Sequence, residues 1–242
     1  MALIQPHPSF HFDQTKHQYW LHDKLLTSVT AKAKEFKKPF EAETTLDRMA
    51  DKRNLSGIER VTFKEQTSRE WKAKAELGRN VGTWSHAHIE NHERMGVHPT
   101  AYEHSRVQAK YLSYQKFLNS WYAKELRPVG TEERVYSERY QLGGTLDKIY
   151  QREGCHFLSI ADWKTNEKFT TDDDFCYGEY LKAPFQDQKA CDLNFYSIQL
   201  SIYALILEEW GLETRENFIV WLSDEPRVFT CKDYRERLRR VL

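Results

Sequence analysis

Apolar positions are thin over residues 41–77, alternate with polar ones in the middle of the chain, and crowd together near residue 200. Phe10 to Trp20 alternates aromatic and polar residues around Asp13-Gln-Thr-Lys16, which predicts a short hairpin. Ser28 or Thr30 is placed to cap a helix running to about Phe36, before Pro39. Residues 41–77 read as charged helices broken near Asn54-Leu-Ser-Gly57, with little apolar surface to bury. A further helix is expected to begin near Thr83. Another covers 101–126, with Tyr111, Tyr114, Phe117, Leu118 and Trp121 at helical spacing and Pro128 at its end.

The period then changes to two. Glu133–Glu138, Thr145–Tyr150 and Leu158–Thr165 are separated by short connections, which predicts an antiparallel meander. In the third run Leu158, Ile160, Asp162 and Lys164 share one face. An inward face that turns from aliphatic to charged opens into a site, because unpaired charges are rarely left in a core. A carboxylate and an ammonium two positions apart can hold a divalent cation and an amine over one reacting atom. A surface strand carrying an ion pair is the plain alternative. Asp147 shares a face with Thr145 and Ile149, and Gly143-Gly144 gives the backbone room for a turn or bulge beside it.

Residues 166–193 form a long polar connection, either a functional loop or poorly ordered. Tyr196 to Trp210 is a helix whose apolar residues nearly encircle it, so it is expected to be buried. Gln199 and Tyr203 lie four apart inside it and need partners there, or face a substrate. Strands at Phe218–Leu222 and Val228–Cys231 and a basic helix from Lys232 to Arg240 close the chain. With no repeat or linker, one domain over residues 1–242 is expected. Residues 1–77 form a hairpin and helical decoration, 78–222 the core, and 223–242 a C-terminal strand and basic helix.

Composition narrows the function classes. The 242 residues are 40% hydrophobic and 30% charged, which marks a globular class, and the formal net charge is zero. No global basic field draws in polyanions, so a nucleic-acid site has to be a local groove. Lys32, Lys34, Lys37 and Lys38 are the most basic patch of the first half, either a solvated helix face or a phosphate contact. Cys155, Cys176, Cys191 and Cys231 are too widely spaced for C-x-x-C metal sites and fit free thiols in a reducing compartment. The N-terminus lacks an apolar h-region, and no apolar run approaches a membrane span. A cytoplasmic protein is expected. His86 and Glu90 share a helix face and His88 and His92 a neighbouring one, but H-E-x-x-H is absent, so zinc is not expected.

Four short motifs occur in order: G-x-x-x-H-x-x-I-E from Gly82 to Glu90, G-x-x-D from Gly144 to Asp147, D-x-K-T from Asp162 to Thr165, and Q-x-x-x-Y from Gln199 to Tyr203. Together they resemble the PD-(D/E)XK nuclease superfamily. The likeness is to its RecB-like branch, which includes the nuclease domains of RecB and AddAB and the mitochondrial genome maintenance exonuclease with its phage relatives. The resemblance covers roughly residues 78–222. It implies a restriction-endonuclease-like α/β (α+β) core, a mixed sheet flanked by helices, with the N-terminal helices forming an arch.

It also implies that Asp147, Asp162, the Trp163 carbonyl and His86 ligate Mg²⁺ or Mn²⁺. Glu90 would bind a second ion. Lys164 would orient or deprotonate the attacking water, and Gln199 and Tyr203 would position the DNA. Glu133 stands where relatives carry a supporting acid. Iron–sulphur members of the branch use one Cys upstream of the core and three clustered late. Neither is present here, so no cluster is expected. The implied activity is DNA exonuclease on single strands or ends, in replication, repair or recombination. A structure-specific endonuclease and an inactive DNA-binding module are the alternatives.

Overall fold

The computed structural model describes residues 7–242; the expectation that the N-terminus is no targeting segment falls largely on residues 1–6, which lie outside the described residues. The period-two runs build the centre. Strands β4 (Leu126–Ser137), β5 (Leu142–Arg152) and β6 (Leu158–Lys164) form the expected antiparallel meander. Helix α6 (Asp192–Glu209) crosses over to β7 (Phe218–Trp221), which runs parallel to β6, and β8 (Arg227–Thr230) turns back along β7. At the other end β1 (Phe10–Asp13), β2 (Gln18–Leu21) and β3 (Lys24–Ser28) form an antiparallel ribbon. Asp13 sets its turn by accepting the backbone N–H groups of Thr15 and Lys16. β3 then runs parallel to the start of β5, so eight strands make one mixed sheet. The chain is therefore of the mixed α+β class.

Helices cover both faces. On one, α1 (Val29–Lys34), α6 and α7 (Arg235–Leu238) pack on Leu146, Ile149, Ile160 and Ile219. Ser28 caps α1 by accepting the Ala31 N–H at 3.1 Å. α6 is buried almost all round, as its encircling apolar pattern requires. On the other face, Ile89 of α3 (Gly57–Met95) and Tyr111, Tyr114 and Phe117 of α4 (Ser105–Leu118) pack on Tyr150, Trp163 and Phe218. A short α5 (Trp121–Lys124) links α4 to β4.

Several boundaries differ from the expectation. No helix starts near Thr83: α3 runs unbroken for 39 residues, roughly 58 Å at 1.5 Å per residue. Its second half buries Val81, Ser85 and Ile89 at four-residue spacing, whereas its first half buries only Thr67. That first half is held by α2 (Ala42–Lys52) through Arg60 and Lys64, which bind Asp47, Asp51 and Glu43. The helix expected over 101–126 stops at Leu118, and Pro128 lies inside β4, where the register shifts. The connection 166–191 carries a short 3₁₀ turn and an antiparallel bridge between Tyr180 and Lys189, and Asp172 ties it to Asn194 and Lys232. The C-terminal helix is a single turn. Its Arg235, Arg237 and Arg239 are engaged by Glu208, Asp233, Asp187 and Glu236.

Candidate metal centre

The site grows from an interruption in the sheet. β4 covers one edge of β5 along its whole length. The other edge is shared: β3 pairs with residues 142–143 and β6 with residues 148–151. Residues 144–147 have no strand partner there. Two tyrosines brace this gap. Tyr203 of α6 donates its hydroxyl to the Thr145 carbonyl at 2.8 Å, and Tyr19 of β2 shares a 3.0 Å hydrogen bond with the Thr145 hydroxyl. Gly144 permits the approach, since a Cβ there would lie 2.6 Å from the Tyr203 ring.

At the end of the gap stands Asp147. β6 leaves the ladder after Ala161, and the Trp163 N–H donates to Asp147 Oδ2 at 2.9 Å. Asp147 thus meets the backbone at the residue that directly follows Asp162. Trp163 packs its indole between Tyr114 and Phe117 on the far face, which fixes the alternation that aims Asp162 and Lys164 toward α6. His86 arrives from α3. Its Nε2 lies 3.1 Å from the Trp163 carbonyl, and its Nδ1 lies 3.5 Å from Asp147 Oδ2 and 3.9 Å from Glu132 Oε1. Gly82, one turn earlier, lets α3 come close to the end of β6: a Cβ there would touch the Thr165 hydroxyl at 3.4 Å. Lys164 Nζ sits 2.5 Å from Asp162 Oδ2 and 4.1 Å above the ring of Tyr196.

The electrostatics follow from crowding acids in a sheltered place. Burial, then the charge of Asp162, pushes Asp147 up to about 7, against the pull of His86. Burial works against a charged His86, but Asp147, Glu132 and Asp162 outweigh it and raise the imidazole to about 9. Burial likewise opposes the Lys164 ammonium, yet Asp162 holds it above the usual lysine range. Asp162 Oδ2 is fully buried without a partner of good hydrogen-bonding geometry. One ligand atom each from His86, Glu132 and Asp147 lies within 4.8 Å of the others. Carboxylate oxygens, a backbone carbonyl and one imidazole form a donor set that suits Mg²⁺ or Mn²⁺. The residues present therefore fit a divalent ion.

Other expected site residues fall elsewhere. Glu90 is not in this group; it binds Arg94 at 2.8 Å. The acid that joins His86 is Glu132, not the neighbouring Glu133. Glu132 has a left-handed φ of 51°, and no sequence pattern marks a non-glycine residue for that conformation. Tyr203 is buried and its hydroxyl is used on β5, so it braces the sheet rather than facing a substrate. Gln199 is buried too, with one long contact to Thr30 Oγ1 at 3.5 Å. His88 and His92 turn toward α4 and its approach, to Glu103 and Tyr114.

His86, Lys164 and Tyr196 stand at one end of a cleft of about 880 Å³ walled by the outer half of α3. Along it lie Phe40, Trp71, Lys72, Lys74, Arg79 and Arg106. Lys74 and Arg106 pair with Glu167, whereas Lys72 and Arg79 are exposed and form no ion pair with the described residues. The Phe40 and Trp71 rings meet edge to face, 5.5 Å apart. No helix among the described residues is long and apolar enough to cross a membrane. The chain matches no protein-family model, and no curated protein matches its sequence.

Proposed function

We propose that this chain is a metal-dependent deoxyribonuclease of the PD-(D/E)XK superfamily, with α2 and α3 arching over the path to its site. The observation that carries the proposal is the meeting of Asp147, Asp162 and Lys164 beside His86, with His86 and Lys164 lining a basic and aromatic cleft. Asp147, Asp162, the Trp163 carbonyl, His86 and Glu132 would hold Mg²⁺ or Mn²⁺. Such an ion, when bound, stabilises charge developing on a phosphate and makes bound water a better nucleophile. Lys164 presents its ammonium to the same space and can orient a water or a phosphate oxygen. Lys72 and Arg79 are free to meet a phosphodiester backbone, and Phe40 and Trp71 offer faces on which bases stack. These features support nucleic acid as substrate, and the four ordered motifs support DNA.

The test is cleavage of end-labelled linear and circular single-stranded DNA with Mn²⁺, Mg²⁺ or EDTA. Linear DNA is expected to be degraded with either ion and left intact in EDTA. Asp162→Asn should lower the rate at least about a hundredfold. A circle left uncut would establish a requirement for ends; a circle cut as fast as linear DNA would make the enzyme an endonuclease. Cleavage that survives EDTA, or no cleavage with either ion, would sink the proposal.

A further inference from the structure

Lys164 is held by more than its ion pair, and the second contact has a consequence for the reaction proposed above, on which this inference rests. Its ammonium is mostly shielded and lies between two groups: Asp162 Oδ2 at 2.5 Å and the face of Tyr196 at 4.1 Å. A cation over an aromatic face is attracted by the ring quadrupole, more strongly when water is kept away. The Tyr196 ring is itself fixed. Phe169 lies nearly parallel to it, 6.0 Å between centroids, and Phe195 packs edge-on at 5.3 Å. The ring also lines the cleft, so its face belongs to the site as well as to the packing. Its hydroxyl makes no hydrogen bond with the described residues, so the contact with Lys164 depends on the ring alone.

We infer that Tyr196 is a positioning residue: its aromatic face keeps the Lys164 ammonium over the reacting phosphate when Asp162 shares its oxygens with a metal ion. An ion that draws on Asp162 weakens the Lys164–Asp162 pair, because both compete for one carboxylate. A long lysine side chain released from its counter-charge would swing into the cleft and be solvated. The ring opposes that swing and does not compete for the ion, since it offers no ligand atom to it. The contact is therefore worth most in the state that does chemistry.

The test compares Tyr196→Phe, Tyr196→Trp and Tyr196→Leu with the wild type. Each protein's kcat and KM on linear single-stranded DNA with Mn²⁺, Mn²⁺ dissociation constant and melting temperature are measured. Phe and Trp keep an aromatic face and should hold kcat within about threefold. Leu removes the face and should lower kcat about 5- to 30-fold, the range of a shielded cation–π contact. KM and Mn²⁺ affinity should stay near wild-type values, whereas the Leu variant also loses its contacts with Phe169 and Phe195 and should melt a few degrees lower, so kcat is compared at a temperature where every variant is folded. A folded Leu variant with unimpaired kcat overturns the inference. So does one whose loss tracks weaker Mn²⁺ binding, or a Phe variant as impaired as Leu. A wild type that cleaves no DNA overturns the nuclease proposal and this inference together, whereas an active wild type with an active Leu variant overturns this inference alone.

Discussion

His86 and Asp147 bind protons more tightly in the folded chain than as free side chains, at about 9 against 6.5 and about 7 against 3.8. A group raised on folding stabilises the fold fully below its unfolded value and loses that contribution as pH rises through its folded value. Asp147 loses its share between about pH 4 and 7, and His86 between about pH 6.5 and 9. Chelator-treated protein is therefore expected to melt at falling temperatures from pH 6 to 9. Divalent ions compete with the same protons, so Mn²⁺ should raise the melting temperature more at pH 8.5 than at pH 6. A chelated protein that grows more stable over that window would contradict this electrostatic account. Glu132 gives a second check. Its φ of 51° costs a non-glycine residue about 1 kcal/mol. Glu132→Gly should keep or raise the melting temperature in EDTA while weakening Mn²⁺ binding about tenfold or more, as isothermal titration would show. An unchanged affinity would remove Glu132 from the ligand set.

At the scale of elements, α3 is fastened to the sheet by a buried pair, Glu93 with Lys148, whose side chains are each 5% exposed and 2.9 Å apart. Lys148 also donates to Thr131, which ties in β4. Glu93→Leu alone should cost about 3–5 kcal/mol by stranding the ammonium, whereas Glu93→Leu with Lys148→Met should lie much closer to wild type. Denaturant titration distinguishes them, and equal losses would argue against an unpaired-charge penalty. The strands around this pair were legible from sequence because a half-buried strand alternates its side chains. Leu158, Ile160, Asp162 and Lys164 share a face as expected, with the first two in the core and the last two at the site. Helix α3 was not legible as one piece. Gly78, Gly82 and few apolar residues argue for a break, yet tertiary contacts at Val81, Ser85 and Ile89 and the ion pairs to α2 override local preference. Glu132 stayed hidden because its side chain is aimed by backbone conformation, which charge patterns do not record. Helical spacing put Glu90 on the face of His86 but did not show that its carboxylate takes Arg94 as its neighbour.

Across the whole molecule, one mixed sheet carries the acids, helices on both faces hold it, and a helical pair projects beyond it beside the cleft. Neutral overall charge coexists with a local strip of cations because Asp and Glu elsewhere balance them. Removing the two unpaired cations tests what that strip does. Lys72→Ala with Arg79→Ala should weaken binding of single-stranded DNA and lower its salt slope by about 1.4, leaving Mn²⁺ affinity in the absence of DNA unchanged. A salt slope that does not move would place the strand elsewhere. The unbroken length of α3 adds a consequence, because one rod bears both the cleft wall and His86. Were a strand to bind the cleft and an ion the site, any factor by which one changed the affinity of the other would have to be returned in equal measure, and this single rod is the element that touches both.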